Sequence, residues 1–310
     1  MAYKPELLAT AASLEELRRL IAAGADAFVI GEARYGTRLA GEFTLEMIAE
    51  AVKIARPHGV RVYAALNNLM DNEAAESLNT YVSTLADVGV DAFVFGDPAV
   101  LMAARSHAPG IALHWNAEMT STNYVTANYW GRRGATRYVL ARELNMEQVI
   151  DTAAASDLEV QVQVHGMTNI YHSKRSLVGS YLDHQTEPER LPQKDKDRGL
   201  YVMEAERQDE RYPIYEDING THIMSSDDIC MVENIHELLE AGVSSLKIEG
   251  IMKSMDYNET VVRSYRQAID SYLSDPEAYA FNEEWLEAIQ QIQDPNRELS
   301  YGFFYKEQVY

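Results

Sequence analysis

One pattern recurs along the chain and restricts its fold more than any other feature. Ala22-Ala-Gly-Ala-Asp-Ala-Phe-Val-Ile-Gly-Glu32 returns as Asp87-Val-Gly-Val-Asp-Ala-Phe-Val-Phe-Gly-Asp97 and, more loosely, as Glu240-Ala-Gly-Val-Ser-Ser-Leu-Lys-Ile-Glu-Gly250. Each copy joins the end of a helix, a glycine turn and a short apolar strand that runs into a carboxylate. Glycine commonly ends helices, and strands that are apolar on both faces suit a parallel sheet covered by helices. The repeat therefore predicts alternating strands and helices around a parallel sheet.

The same alternation continues between the copies. Eight segments have the apolar pattern of strands: Leu7–Thr10, Ala27–Gly31, Arg61–Leu66, Ala92–Gly96, Ala112–Trp115, Arg137–Leu140, Glu159–His165 and Ser245–Glu249. Most are separated by helical patterns: Ser13–Ala23, Thr44–His58, Ala74–Val88, Pro98–Ser106, Met119–Arg132 and Met146–Ala155. This order predicts an α/β fold, a TIM-like (β/α)8 barrel. A doubly wound open sheet is the alternative, but no glycine-rich dinucleotide motif follows the first strand.

The regular alternation breaks after the seventh strand. We expect a barrel domain over residues 1–270, with an exposed insertion at about 183–224 between strands seven and eight. The insertion should end in a hairpin over Tyr212–Met224 that turns at Asn219-Gly220. Ser225-Ser-Asp-Asp228 has the composition of a helix N-cap. Residues 271–310 should form a C-terminal extension of helical segments and an aromatic cluster that could seal one mouth of the barrel.

Charge and cysteine content restrict the class of function. The 310 residues carry a formal net charge of −21 and 46% hydrophobic residues. So acidic a chain is not expected to hold nucleic acid over a broad surface, and nucleic-acid binding would need a local basic pocket or a basic partner. Cys230 is the only cysteine, which excludes an internal disulfide. The sequence has neither an apolar run of membrane-spanning length nor a signal peptide, and we expect a cytoplasmic protein without membrane contact.

Chemistry in such barrels comes from residues at the strand ends. The candidate catalytic residues are Arg142, Glu143, His165, Lys247 and Glu249. The candidate substrate-binding residues are Glu32, Asn67, Asn116, Glu118, Asn169, Lys174, Arg175 and Lys253. No metal-binding motif and no serine-hydrolase motif is present, so no metal site is predicted.

Several of these candidates also have a structural interpretation. Arg142 and Glu143 could clamp an anion or tie two loops together. Lys247 should point into the barrel, where Glu249 is the nearest partner, and their ion pair could be structural or catalytic. His165 could act as an acid, base or ligand, or lie in the core. The cations that follow it could bind an anion or lie in solvent.

Several blocks together resemble the U32 family, which carries an old label of collagenase-like peptidase. They include Leu140-Ala-Arg-Glu143, His165-Gly166 and the loop up to Tyr181, and Met224-Ser-Ser-Asp-Asp-Ile-Cys-Met231. Leu246-Lys-Ile-Glu-Gly-Ile-Met-Lys-Ser254, Val261–Ile269 and Ser300-Tyr-Gly-Phe303 complete the resemblance, which spans almost the whole chain. It implies one of several activities: 5-hydroxyuridine synthesis at the tRNA wobble position with prephenate as co-substrate, action on ribosomal RNA or a step in ubiquinone synthesis.

The resemblance also defines what this chain lacks. The hydroxylating branches typically bind an iron–sulfur cluster through four cysteines, whereas Asn169 and Ser176 stand where the first pair would align. No cysteine occurs where the second pair is expected, near Pro188–Leu200, so no cofactor is expected on this chain. The chain is similar to short U32 proteins that accompany a longer, cysteine-bearing paralogue, and such a paralogue is the expected partner. A peptidase and a non-catalytic scaffold for a paralogue remain the alternatives.

Overall fold

The computed structural model describes residues 3–116, 121–185 and 195–307. Its strands in chain order are β1 Glu6–Thr10, β2 Ala27–Ile30, β3 Arg61–Leu66, β4 Ala92–Phe95, β5 Ala112–Trp115, β6 Arg137–Val139, β7 Glu159–Gly166, β8 Asn169–Ser173, β9 Tyr201–Val202, β10 Tyr212–Asp217, β11 Gly220–Met224, β12 Asp228–Cys230, β13 Ser245–Ile248 and β14 Leu299–Ser300. The helices are α1 Leu14–Ala23, α2 Leu45–Ala55, α3 Asn72–Val88, α4 Pro98–His107, α5 Tyr124–Gly131, α6 Met146–Ala155, α7 Leu177–Gln185, α8 Ile235–Glu240, α9 Met255–Ser274 and α10 Glu283–Gln290.

Eight parallel strands close into a barrel. Strands β1 to β7 lie side by side in chain order, and β13 pairs with both β7 and β1. Leu246 is in register with Val162 on one side and with Leu7 on the other. The predicted (β/α)8 barrel is therefore confirmed, and the carboxyl ends of all eight strands meet at one mouth.

The repeated glycines end helices as expected. Gly24 and Gly89 adopt left-handed conformations, with φ of 109° and 87°, directly after α1 and α3. Gly242 has a φ of 73° in the third copy of the repeat. Because only glycine takes this conformation without steric cost, it reverses the chain from helix into strand at each copy.

The main core lies between the barrel strands and the surrounding helices, where Phe28, Phe93 and Tyr265 are fully buried. A smaller apolar cluster fills part of the barrel interior and includes Leu8, Tyr63 and Val94. The remaining interior positions are largely polar. In such barrels the chemistry is carried by residues at the strand ends and not by these interior positions.

The amino-terminal end of the barrel holds an ionic network whose central pair, Glu6 and Arg137, is buried. Glu6 contacts Arg137 through one carboxylate oxygen and Arg61 through the other, both at 2.5 Å. Arg137 also binds Glu159 at 2.7 Å, and Ser245 Oγ donates to Glu6 at 2.9 Å. Two acids thus face two arginines, so the formal charge of this network is balanced.

The insertion after β7 is not simply exposed, which corrects the expectation for residues 183–224. Strands β8, β11, β10 and β9 form a second, antiparallel sheet. The predicted hairpin is confirmed as β10 and β11, but Tyr215, Thr221, His222 and Met224 are buried. This part of the insertion packs on the barrel because its apolar side chains join Met167 and Ile251, which follow β7 and β13.

Ser225–Asp228 does not cap a helix, so that prediction was wrong. Asp228 begins β12, which pairs antiparallel with β7 and parallel with β14. The C-terminal aromatic residues contact the region of α8, and Phe303 lines a groove together with Arg142 and Glu143, which follow β6. Tyr301 donates a hydrogen bond at 2.6 Å to Glu233, which precedes α8. Tyr305 donates one at 2.5 Å to Glu237, which lies within α8. Among the described helices, none is both long and apolar enough to span a bilayer.

Candidate functional site

A carboxylate at the end of β13 organises the barrel mouth. Glu249 accepts hydrogen bonds from Thr10 Oγ1 at 3.0 Å, from Lys247 Nζ at 2.8 Å and from the Ile251 amide at 3.1 Å. Lys247 is in register with Leu8 of β1 and Gln163 of β7. The predicted pairing of Lys247 with Glu249 is therefore confirmed. The pair places a fixed acceptor beside a cation at the mouth, a geometry suited to a polar substrate.

The tip of the β10–β11 hairpin ties two strand ends together. Asn219 Oδ1 accepts a hydrogen bond from Asn68 Nδ2 at 2.6 Å. Its Nδ2 donates to the carbonyls of Ala33 and Gly36, at 3.0 and 3.2 Å. Asn219 was predicted only as a turn residue, because an asparagine before a glycine gives no signal of such contacts. The hairpin thus covers the β2 and β3 side of the mouth.

Lys196 crosses to the same side of the mouth from the insertion. Its Nζ donates to the carbonyl of Leu39 at 3.3 Å and also to that of Ala40. Burial lowers the pKa of Lys196, while Asp197, Asp217 and Glu249 act in the opposite direction. Lys196 was not among the predicted site residues, since its only signal in the sequence is a charge within a charged segment.

Three predicted binding residues lie at strand ends as expected. Glu32 follows β2, and burial raises the pKa of its carboxyl group. Asn67 follows β3 and accepts a hydrogen bond from the Thr37 amide at 3.1 Å. Asn116 follows β5, and its buried Oδ1 has no hydrogen-bond partner among the described residues. Glu118 lies outside the described residues.

Arg142 and Glu143 follow β6 and line a groove of about 690 Å³. Arg142 Nη2 donates to the carbonyl of Asn169 at 2.9 Å, which ties the segment after β6 to the start of β8. Asn169 lies on β8 and also lines the groove. The groove continues along Ser225 and Phe303, so it joins the strand ends to the C-terminal segment.

The two cations after β8 do not converge on the Lys247–Glu249 pair. Lys174 Nζ donates to the carbonyl of Leu69, beyond β3, at 3.2 Å. Arg175 is exposed, and its backbone carbonyl accepts a hydrogen bond from Thr221 Oγ1 at 2.8 Å. Both residues therefore contact segments at the rim of the mouth.

His165 points away from the mouth, which corrects the prediction of a catalytic histidine there. The β7 register shifts by one residue, so that Lys247 pairs with Gln163 but Ile248 pairs with His165. Such a bulge turns the following side chain to the other face of the sheet. His165 is fully buried and contacts the hydroxyls of Tyr257 and Tyr265, at 2.9 and 3.4 Å. Burial lowers its pKa to about 3.

Cys230 lies opposite His165 in the β12–β7 pair, which raises the question of a nucleophile with its base. A thiolate–imidazolium pair needs a lowered thiol pKa. Here burial raises the pKa of Cys230 to about 11, so at neutral pH both groups are uncharged. The pair therefore lacks the electrostatics of a cysteine peptidase.

Lys253, a predicted substrate-binding residue, follows β13 and forms an ion pair with a buried carboxylate. Its Nζ lies 2.5 Å from Asp228 Oδ2, and the lysine side chain is only 7% exposed. Arg297 Nη2 contacts the other oxygen of Asp228 at 2.9 Å. No local pattern indicates this cluster, because its members come from β12, the segment after β13 and the C-terminal segment.

The two residues that align with cluster-binding cysteines, Asn169 and Ser176, make hydrogen bonds within the protein. Ser176 Oγ donates to Glu216 at 2.6 Å, and Glu216 accepts from the Val178 amide at 2.7 Å. Asn169 Nδ2 donates to the carbonyl of Tyr171 at 3.0 Å. A four-thiolate site needs four cysteines, and the chain has one. Within the described ranges, no three histidine, cysteine or acidic side chains are grouped to hold a metal ion.

The closed barrel, its polar strand ends and the second sheet define a (β/α)8-barrel protein whose mouth is partly covered by that sheet. The model of peptidase family U32 matches residues 12–309, and the chain belongs to that family. It is 49% identical over 308 residues to tRNA hydroxylation protein P2 of Bacillus subtilis, covering 99% of both chains.

Two further comparisons extend the family assignment. The chain is 32% identical to tRNA hydroxylation protein P1 of the same organism, over 99% of this chain and 74% of P1. Among solved structures, the U32 peptidase Mk0906 matches with a TM-score of 0.51 at 17% identity, covering 80% of this chain and 94% of that one. The structural match supports the fold alone.

Proposed function

We propose that this chain takes part in the hydroxylation of tRNA. The observation that carries the proposal is the 49% identity to tRNA hydroxylation protein P2, which extends over 99% of both chains. Identity along the whole length includes the barrel, the second sheet and the C-terminal segment. The proposal therefore applies to all three of these parts of the chain.

More specifically, we propose 5-hydroxylation of the wobble uridine, with prephenate as the co-substrate implied by the family resemblance. The chain would act as an iron–sulfur-free subunit beside a longer, cysteine-bearing paralogue. Support comes from the single cysteine and from the coexistence of P1 and P2 in one organism, where P1 is the longer protein. A net charge of −21 also favours binding tRNA together with a partner.

The barrel mouth supplies groups that suit a nucleobase or a small polar co-substrate. Glu249 offers acceptor oxygens to ring N–H or hydroxyl groups, and Lys247 beside it donates to oxygens. We propose that these two residues contact the substrate. Arg142 and Glu143 would position the part that lies in the adjoining groove.

Gene deletion tests the proposal. In the organism that encodes this chain, we expect the 5-hydroxyuridine-type nucleosides of tRNA, quantified by mass spectrometry, to fall on deletion. They should return when this gene is restored beside the longer paralogue. If nucleoside levels stay unchanged even in a strain lacking both genes, the proposed function is wrong. If this gene alone restores the nucleosides, only the proposed partnership is wrong.

A further inference from the structure

A second cavity lies beside the barrel mouth and has no role in the function proposed above. It encloses about 440 Å³ between the segments that follow β7 and β13, strands β9 and β10, and the C-terminal segment. Its lining includes three cations: Arg211, Lys253 and Arg297. This volume falls within the range of small-molecule sites.

A buried carboxylate lies beneath two of these cations. Asp228 is fully buried and contacts Lys253 Nζ at 2.5 Å, Arg297 Nη2 at 2.9 Å and Arg297 Nε at 3.2 Å. Gln293 Nε2 also donates to it at 2.7 Å. Arg297 Nη2 also donates to the carbonyls of Ser225 and Asp227, at 3.1 and 2.9 Å. Lysine has three N–H donors and arginine has five, so donors remain for a further acceptor in the cavity.

The charge of this cluster is not balanced. The side chains of Lys253, Asp228 and Arg297 are 7%, 0% and 8% exposed, so two nearly buried cations share one buried anion. An excess charge at such a depth is unfavourable unless a further anion compensates it. Burial lowers the pKa of Lys253, and Asp228 offsets this effect only in part.

One further acid, Asp294, lines the cavity and interacts electrostatically with Lys253 and Arg297. It lies at the exposed rim, where its Oδ1 accepts hydrogen bonds from the amide and side chain of Asn296, at 2.9 and 3.0 Å. Asp227 accepts a hydrogen bond from the Ser300 hydroxyl. Arg211 at the rim, stacked 4.9 Å from the centre of the Tyr201 ring, adds a third cation, so three cations face the two carboxylates of Asp228 and Asp294.

The walls combine a positive helix end with apolar surface. Ser254, the N-cap of the 20-residue helix α9, lines the cavity, and a helix N-terminus favours an anion. The rings of Tyr201 and Tyr257 face the cavity together with Met167, Met252 and Ile292. Met252 has a φ of 60°, a conformation that is unusual for a residue with a side chain and that often marks functional sites.

We propose that this cavity binds a small organic monoanion, in which a carboxylate is attached to a ring or a similarly flat apolar group. The carboxylate would accept hydrogen bonds from Lys253 and Arg297 and would balance the second cation. The flat group would lie between Tyr201 and Tyr257. The site adds a ligand to the proposed function but does not rest on it, because binding is measurable without tRNA.

Titration with 4-fluorobenzoate, followed by ¹⁹F NMR on the full chain, tests the proposal. We expect the wild type to bind 4-fluorobenzoate and not its neutral counterpart, 4-fluorobenzyl alcohol. Lys253→Met should weaken binding by about tenfold or more, as expected for the loss of one charged hydrogen bond. Tyr201→Ala, at a 45% exposed position, should weaken it without affecting folding. Lys53→Met on α2 removes the same charge at a 75% exposed site and should change nothing.

Three results would overturn the proposal: no binding, equal binding of the alcohol, or unchanged binding by the Lys253→Met protein. If dimethyl phosphate displaces 4-fluorobenzoate and binds as strongly, the site would be assigned to an RNA phosphate. That result would also overturn the proposal. A failure here leaves the deletion experiment unaffected. Conversely, if the chain binds the anion but deletion of its gene leaves the tRNA nucleosides unchanged, only the proposed function is wrong.

Discussion

Two ionic clusters, each with a buried centre, lie at opposite ends of the barrel, and they are built differently. At the amino-terminal end, Glu6 and Glu159 face Arg61 and Arg137. At the carboxyl-terminal side, buried Asp228 and exposed Asp294 face Lys253, Arg297 and Arg211. The first cluster is electrically complete, whereas the second carries one excess positive charge and lines a cavity.

This difference indicates that the amino-terminal cluster is structural, whereas the second cluster has a role in binding. A complete cluster fixes the geometry of its strands and needs nothing further, because each ion is already compensated. An incomplete cluster beneath a cavity is stabilised when an anion enters. If this account is right, removing charges from the two clusters must have unequal consequences.

The largest effect is expected from Asp228→Asn. The substitution leaves two buried cations without an anion, and breaking such a cluster costs about 3–5 kcal/mol of unfolding free energy. Urea unfolding at neutral pH measures this loss. A cost below about 1 kcal/mol would show that Asp228 does not compensate the two buried cations.

A slightly smaller loss is expected from Arg137→Met at the opposite end, about 3 kcal/mol, because Arg61 still compensates Glu6 after the change. The same urea titration measures it, and binding of 4-fluorobenzoate should be unaffected. Reduced binding by this variant would mean that the two clusters are not independent.

Acid should reduce the contribution of Asp228. Burial alone would raise the pKa of Asp228, but Lys253 and Arg297 outweigh burial and hold it well below its usual range. The stabilisation is therefore complete above about pH 4, the usual value for an unfolded aspartate, and declines as the pH falls below it. The difference in unfolding free energy between wild type and Asp228→Asn should shrink by about 1.4 kcal/mol per pH unit in that range. A difference that stays constant below pH 4 would contradict the lowered pKa.

The smallest effect on stability is expected from Lys253→Met. Asp228 keeps Arg297 and Gln293, and the remaining pair is balanced, so we expect a cost of about 1 kcal/mol or less. Thermal unfolding beside the Lys53→Met control measures it. A loss as large as that of Arg137→Met would mean that Lys253 is structural and that the cluster carries no excess charge.

The barrel itself was predictable because its signals are local. Each apolar strand, turn glycine and helix N-cap follows from a few neighbouring residues, and three copies of the repeat reinforce one another. The pairing of Lys247 with Glu249 follows from the two-residue period of a strand. These features need no knowledge of distant parts of the chain.

The errors concern features that depend on distant partners. His165 leaves the mouth because of a one-residue bulge against β13, which no local pattern in β7 reveals. Asp228 becomes a buried anion only because Arg297, 69 residues further on, folds back onto it. The charged segment around Lys196 was expected to be exposed, although its amine reaches carbonyls 156 and 157 residues earlier.

The central claim is that the mouth of this barrel supports hydroxylation of tRNA. Its most direct test is nucleoside mass spectrometry of tRNA from the deletion strain, carrying Glu249→Gln, Lys53→Met or the wild-type gene at equal protein level. The account predicts that wild type and Lys53→Met restore the 5-hydroxyuridine-type nucleosides, whereas Glu249→Gln leaves them at the level of the deletion. Full restoration by a folded Glu249→Gln protein would contradict it.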